Sequence, residues 1–245
     1  MTLQLVMILG LILLHLLAGR LRFLNRATQN VWLSFAAGTS VAFVFLHLFP
    51  EMQDAQEQII LDKGTGAFTG RFVYLIALAS LVLFYGLDRL VKANQSTAGR
   101  EAGKTDGETT TAMGVYWLHM ISFTLYNALI GYLLVYRKGE DVQRDLFFLL
   151  AMALHFMVND YSLCNDHRHT YQRVGRWLLS AAIGAGWLTG WLTTINEAWV
   201  NGLFAFLAGG VVLNVLKEEL PESRQSRFVP FLIGVVIYSG LLLLL

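Results

Sequence analysis

Residues 37–51 read AGTSVAFVFLHLFPE, and residues 208–222 read AGGVVLNVLKEELPE. Both stretches open on Ala-Gly and close on Pro-Glu at identical spacing, 171 residues apart. Each lies in an apolar segment. Chance is one reading, because Ala and Gly are common in membrane helices and Pro stops helices. The other reading is an internal repeat, and its geometry depends on how many apolar segments separate the two copies.

The chain has 245 residues, 56% of them hydrophobic and 14% charged. A soluble domain carries about 25% charge. Mean hydropathy is +0.54. These values predict an all-α membrane protein whose partner is the lipid bilayer. A formal net charge of +1 gives no pull toward nucleic acid, and no basic arm or base-stacking module is present. The single cysteine, Cys164, excludes an internal disulfide framework.

A membrane-crossing helix needs about 17–25 mostly apolar residues. Eight segments qualify, over about residues 3–19, 31–49, 72–91, 113–136, 146–163, 177–193, 199–216 and 228–245. They form a single transmembrane domain over 1–245. Residues 92–111, rich in Gly, Thr and Ala, read as a flexible cytoplasmic loop. The first apolar run has its arginines after it, at Arg20, Arg22 and Arg26. That is the reverse of a cleaved signal peptide and predicts an uncleaved first helix.

Basic residues fall unevenly between the two sets of loops. Lys63, Arg71, Arg137, Lys138 and Arg144 lie on one side, and the other 13 of the 18 lie opposite. The richer side is expected in the cytoplasm, so both termini lie outside it, in a plasma or inner membrane. Span 2 then runs outward and span 7 inward. The repeat is inverted, with three helices, a central pair and three more helices. Acidic residues gather on the outer side, at Glu51, Asp54, Glu57 and Asp62 and at Glu140, Asp141 and Asp145. They concentrate cations at an outer mouth or simply solvate a loop.

Ionisable residues at membrane depth are expensive and mark pathways or interhelical hydrogen bonds. Span 4 carries His119, Ser122, Tyr126 and Asn127, with 119, 122 and 126 on one face. Span 5 carries His155, Asn159 and Asp160. A short connection makes the two spans antiparallel neighbours. Their meeting faces can bind a divalent metal or carry protons. His47 with Glu51, and Glu218 with Glu219, mark an entrance and an exit or cap helix ends. Glu218 occupies the repeat position of His47. Cys164, Asp166, His167 and His169 form a cytoplasmic cluster that offers metal ligands, although Arg168 opposes a cation. His15 reads as a hydrogen-bonded packing residue. Ala37, Gly38, Gly184 and Gly186 permit close helix packing, within one chain or in a homodimer.

The layout and the HLFPE of residues 47–51 resemble the ZIP family of zinc and iron transporters, whose second helix commonly ends HLLPE. Residues 208–222 are similar to that family's seventh helix. The resemblance covers most of the chain in layout and few residues in detail. It implies a central pair that moves against the flanking helices and carries a divalent metal such as zinc as cargo, not as a resident cofactor. The family's metal motifs, HNxxD in helix 4 and an HExxE-like run in helix 5, are altered here. Ser122 to Tyr126 stands over the first and His155 to Asn159 over the second. His155 alone survives as a strong ligand, with Tyr126 and Asn159 in place of carboxylates and Phe123 and Phe156 in place of the family's Asn and Glu. The expectation is a non-enzymatic, divergent ZIP-like transporter. The alternatives are a transport-inactive or sensor-like relative and a membrane-embedded metal hydrolase, for which no HExxH-type spacing is found.

Overall fold

The computed structural model describes residues 2–17, 26–101, 107–136, 142–166, 168–219 and 227–244. The described residues form eight principal helices and no strand. They are α1 (Thr2–Leu17), α2 (Arg26–Phe43, a π-helical turn Val44–Leu48, then Phe49–Lys63), α3 (Phe72–Glu101) and α4 (Gly107–Tyr136). They continue with α5 (Val142–Asp166), α6 (Arg176–Leu192), α7 (Glu197–Asn214, ending in a π-helical turn Val215–Glu219) and α8 (Phe228–Leu244). A short helical turn, Arg168–Thr170, and a third π-helical turn, Tyr171–Gly175, lead into α6.

Each apolar segment expected from the sequence falls on one helix, but two boundaries move. Pro50 does not end α2. The Phe49 N–H bonds back to the Val44 carbonyl, five residues earlier. This wide turn relieves the clash a proline ring makes with the carbonyl four residues before it. The helix therefore runs on to Lys63, and Glu51, Asp54, Glu57 and Asp62 stand on a helix, not in a loop. The stretch 92–111, expected as a loop, is helical over 92–101 and 107–111. Its Lys, Gln and Ala residues favour helix, and no proline interrupts it.

Backbone-on-backbone contacts at glycine set the packing. Gly38 of α2 abuts the Phe231 carbonyl of α8, and Gly234 of α8 abuts the Phe35 carbonyl of α2. Gly131 and Gly186 make the same exchange between α4 and α6, against the Ile183 and Ala128 carbonyls. Gly209 of α7 meets the Ala77 carbonyl of α3. Close approach at Gly38 and Gly186 is thus made within one chain, and Gly184 has Ile12 of α1 as its neighbour.

Contacts along the helices fix their directions. Tyr116 lies by Gly175 and Tyr132 by Gly190, so α4 and α6 are parallel. Gln58, late in α2, bonds Asn201, early in α7, while the first part of α2 packs on the turn that ends α7. These two helices are antiparallel. The π-turns Val44–Leu48 and Val215–Glu219 occupy the same positions, 171 residues apart. Gly38 and Gly209 also correspond, and each seats a neighbouring backbone, α8 for the first and α3 for the second. The two similar stretches thus share local structure as well as letters.

Candidate functional site

Most buried side chains among the described residues are apolar, and one connected group of buried polar ones spans several helices. α5 supplies its centre. His155 and Asn159 are one turn apart and point the same way, and both are buried. Asn159 Nδ2 lies 3.1 Å from His155 Nε2, and the Tyr126 hydroxyl of α4 lies 3.4 Å from the same nitrogen. Asn214 Nδ2 of α7 donates to Asn159 Oδ1 at 2.6 Å. Because Asn159 presents its amide to His155, Nε2 is the acceptor and carries a lone pair. Side chains of three helices therefore meet around the His155–Asn159 pair.

A second polar group lies beside the first. His15 Nδ1 of α1 is 2.7 Å from Asp160 Oδ2, and His15 Nε2 is 2.9 Å from Asn127 Oδ1. Asn127 donates its own amide to the Phe123 carbonyl at 2.7 Å, which leaves its oxygen toward His15. Both ring nitrogens of His15 thus lie within hydrogen-bond distance of side-chain oxygens, one of them a carboxylate oxygen. Phe156 stacks on the His15 ring at 4.6 Å and lies 6.2 Å from the His155 ring, so it stands between the two groups. Asp160 Oδ1 is buried without a hydrogen bond. Tyr171 sits close enough to feel that carboxylate, although its hydroxyl completes no well-formed bond. Burial first, and then the Asp160 charge, hold the Tyr171 phenol well above its ordinary value.

The expected site residues divide accordingly. His155, Asn159 and Tyr126 come together across α4 and α5, as their spacing predicted. Asp160 is buried but faces His15 of α1 in place of joining His155. Ser122 is half-buried on α4. His119 lies on α4, and its side chain is outside the described residues. His47 is buried in the π-turn of α2, stacked on Phe43, with Nε2 at 3.3 Å from Glu51 Oε1. That contact lacks hydrogen-bond alignment. Glu218 and Glu219 lie in the matching π-turn of α7, with side chains outside the described residues.

Of the expected cytoplasmic metal cluster, only Cys164 and His169 have described side chains. Cys164 is buried against Tyr116 and Leu179, whereas His169 is exposed. His167 and the Asp166 side chain lie outside the described residues. Among the described residues, no three His, Cys, Asp or Glu side chains converge on one point. The described polar neighbours of His155 are Asn159 and Tyr126.

Three members of this layer were not in the predicted set: His15 as a charge partner, Asn127 and Asn214. A histidine inside the run LILLHLL needs an opposite charge, and Asp160 was the open carboxylate on the central pair. That argument finds His15. Asn214 stood out in sequence as a polar residue in the seventh span beside Glu218 and Glu219, but its partner Asn159 did not follow from that. Comparison of the chain with protein-family models, with characterised proteins and with solved structures yields no match.

Proposed function

We propose that the chain is an integral membrane transporter of inverted 3+2+3 layout, ZIP-like in plan, that passes divalent metal cations such as zinc between α4, α5 and α7. The observation that carries this reading is the pair of matching π-turns and glycine contacts in antiparallel α2 and α7. Inverted repeats place binding groups near mid-membrane, on interrupted helices at the repeat interface. In this reading the polar layer around His155 is such a site.

A lipid setting is supported by the surface. Three helical stretches, Asn30–Lys63, Thr69–Leu87 and Glu197–Lys217, are long and apolar enough to cross a membrane, and Leu3–Leu17, Met120–Tyr136 and Phe228–Leu243 are shorter apolar helices. Thr69–Leu87 has a hydropathy of 1.8, yet only 11% of it is buried inside the protein. Water is a poor solvent for such a face. The basic-residue asymmetry favours both termini outside the cytoplasm.

In this reading His155 is the main ligand. Asn159 and Tyr126 supply weak oxygen or nitrogen donors, and Asn214 orients Asn159. A site with one imidazole and no paired carboxylates binds loosely, as a cargo that must leave requires. The test is zinc uptake into vesicles holding the purified chain. His155→Ala should abolish uptake, and uptake equal to the parent would sink the proposal.

One observation favours a second reading, a transport-inactive or sensor-like relative. Asp160, the carboxylate nearest His155 in sequence, is occupied by His15. Calorimetry that detects no divalent-ion binding by the parent chain selects this reading over the first.

A further inference from the structure

Between α2, α4, α5 and α7 lies a cavity of about 470 Å³. At one end Asp54, Gln58 and Glu197 line it and are exposed to solvent. At the other end Ile130, Met152 and Val211 line it, and each is 1% exposed.

Helical spacing ties this inner end to the polar group around His155. On α5, Phe148, Met152, His155 and Asn159 follow one another at steps of four, three and four residues. On α7, Val200, Phe204, Leu207, Val211 and Asn214 follow at steps of four, three, four and three. On α4, Tyr126, Ile130 and Leu133 follow at four and three. Residues at such steps share one helix face. Three helices therefore each carry one continuous stripe that passes from the cavity wall to the polar group. The last lining residue on each stripe stands one turn, about 5 Å, from the polar side chain. The polar residue follows the lining residues in α5 and α7 and precedes them in α4, as oppositely running helices require.

Ile130, Met152 and Val211 thus stand between the cavity and His155. A dry apolar constriction bars a hydrated ion, because nothing in it replaces the water the ion would lose. The three side chains differ in freedom. Ile and Val are β-branched, and a helix holds each in essentially one χ1 rotamer. Met is unbranched, with three rotatable side-chain bonds. Of the three, Met152 alone can swing aside without moving a helix.

We propose that the cavity is the vestibule of the His155 group, that Ile130, Met152 and Val211 seal it, and that Met152 is the part that moves. As a step in metal passage the seal rests on the transport reading. As a barrier to solutes it does not, and it is read without metal.

The test is cysteine labelling of the full chain in lipid nanodiscs, without zinc, by a charged methanethiosulfonate. Peptide masses score each cysteine separately. Native Cys164, buried beside Tyr116 and Leu179, then reports any general loosening in the same molecule. Val200→Cys lies half-buried on the vestibule wall and should react readily. His155→Cys lies behind the seal and should react more slowly by about tenfold or more, since the reagent must wait for an opening. Adding Met152→Ala should raise the rate at residue 155 by about tenfold, with Cys164 still protected. Met152→Leu keeps the side-chain bulk and should leave residue 155 slow. An unreactive Val200→Cys overturns the proposal, and so does a His155→Cys that reacts as fast as Val200→Cys. No gain from Met152→Ala, or an equal gain at Cys164, overturns it too. Zinc uptake bears on the transport reading alone, because labelling is read with no metal present.

Discussion

His15 Nδ1 lies 2.7 Å from Asp160 Oδ2, and each side chain is 1% exposed. The pair joins α1 to α5 in the interior of the bundle. Removing one partner leaves the other buried without its hydrogen bond, which costs about 1–3 kcal/mol. Asp160→Leu should therefore lower unfolding stability in detergent by that order. The double variant His15→Leu, Asp160→Leu should recover most of the loss, because neither polar partner remains buried. Equal and additive losses in the two single variants would show that the pair is not coupled.

The glycine contacts make a sharper packing prediction. A methyl group at Gly38, Gly186 or Gly209 would fall within contact distance of the Phe231, Ala128 or Ala77 carbonyl. Backbone cannot move aside as a side-chain tip can. Alanine at any of the three should cost about 1–3 kcal/mol by overpacking. Gly86 has nothing within 4 Å of where its methyl would stand. Gly86→Ala should be neutral or should stabilise α3 by about 0.5–1 kcal/mol. Melting temperatures of the four variants decide the point, and a uniform response would refute it.

A carboxylate at residue 159 tests whether His155 holds a metal. Asn159 Nδ2 is 3.1 Å from His155 Nε2. Asn159→Asp replaces that donor with an anionic oxygen beside the imidazole. Zinc affinity measured by calorimetry should rise by about tenfold or more, a change of about 1.4 kcal/mol. Unchanged affinity would mean that zinc, if bound at all, does not use His155.

Alkaline stability tests the surroundings of Tyr171. Burial and then the Asp160 charge raise its phenol above the ordinary 10.0. A raised value means that the folded chain holds this proton more tightly than the unfolded chain. The stabilisation is complete below the unfolded value and is lost as pH rises toward the folded one. Stability should therefore fall above about pH 10, where the unfolded phenol ionises. Tyr171→Phe should move the alkaline unfolding midpoint upward, followed by tyrosinate absorbance. An unshifted midpoint would mean that other groups set the alkaline limit.

The helices were legible because apolar runs separated by charges mark them one by one, and eight runs became eight helices. Pro50 misled the boundary of α2, since a π-turn is a hydrogen-bonding shift that leaves no compositional trace. The meeting of Tyr126 with His155 and Asn159 followed from helical spacing and a short connection. The engagement of Asp160 with His15 did not. It depends on which way α5 is rotated, and residues 159 and 160 lie about 100° apart on that helix. Spacing on one helix cannot tell which of its neighbours receives each side.

The outer face of α3 separates a lipid-facing surface from a water-facing one. Leu78 is 56% exposed, in a stretch with a hydropathy of 1.8. On a water-facing helix, Leu78→Arg changes stability by about 0.5 kcal/mol or less. At the centre of a membrane-crossing helix, an arginine costs about 2.5–3.5 kcal/mol of insertion free energy. The two cases differ enough for membrane fractionation to distinguish them. If α3 lies in lipid, the arginine variant should be depleted from carbonate-washed membranes, while Leu78→Phe behaves as the parent. Arginine should have no such effect at Leu61, which is 86% exposed near the charged end of α2. Equal membrane recovery of the Leu78→Arg and Leu61→Arg variants would remove the bilayer from the account, and with it the transport reading.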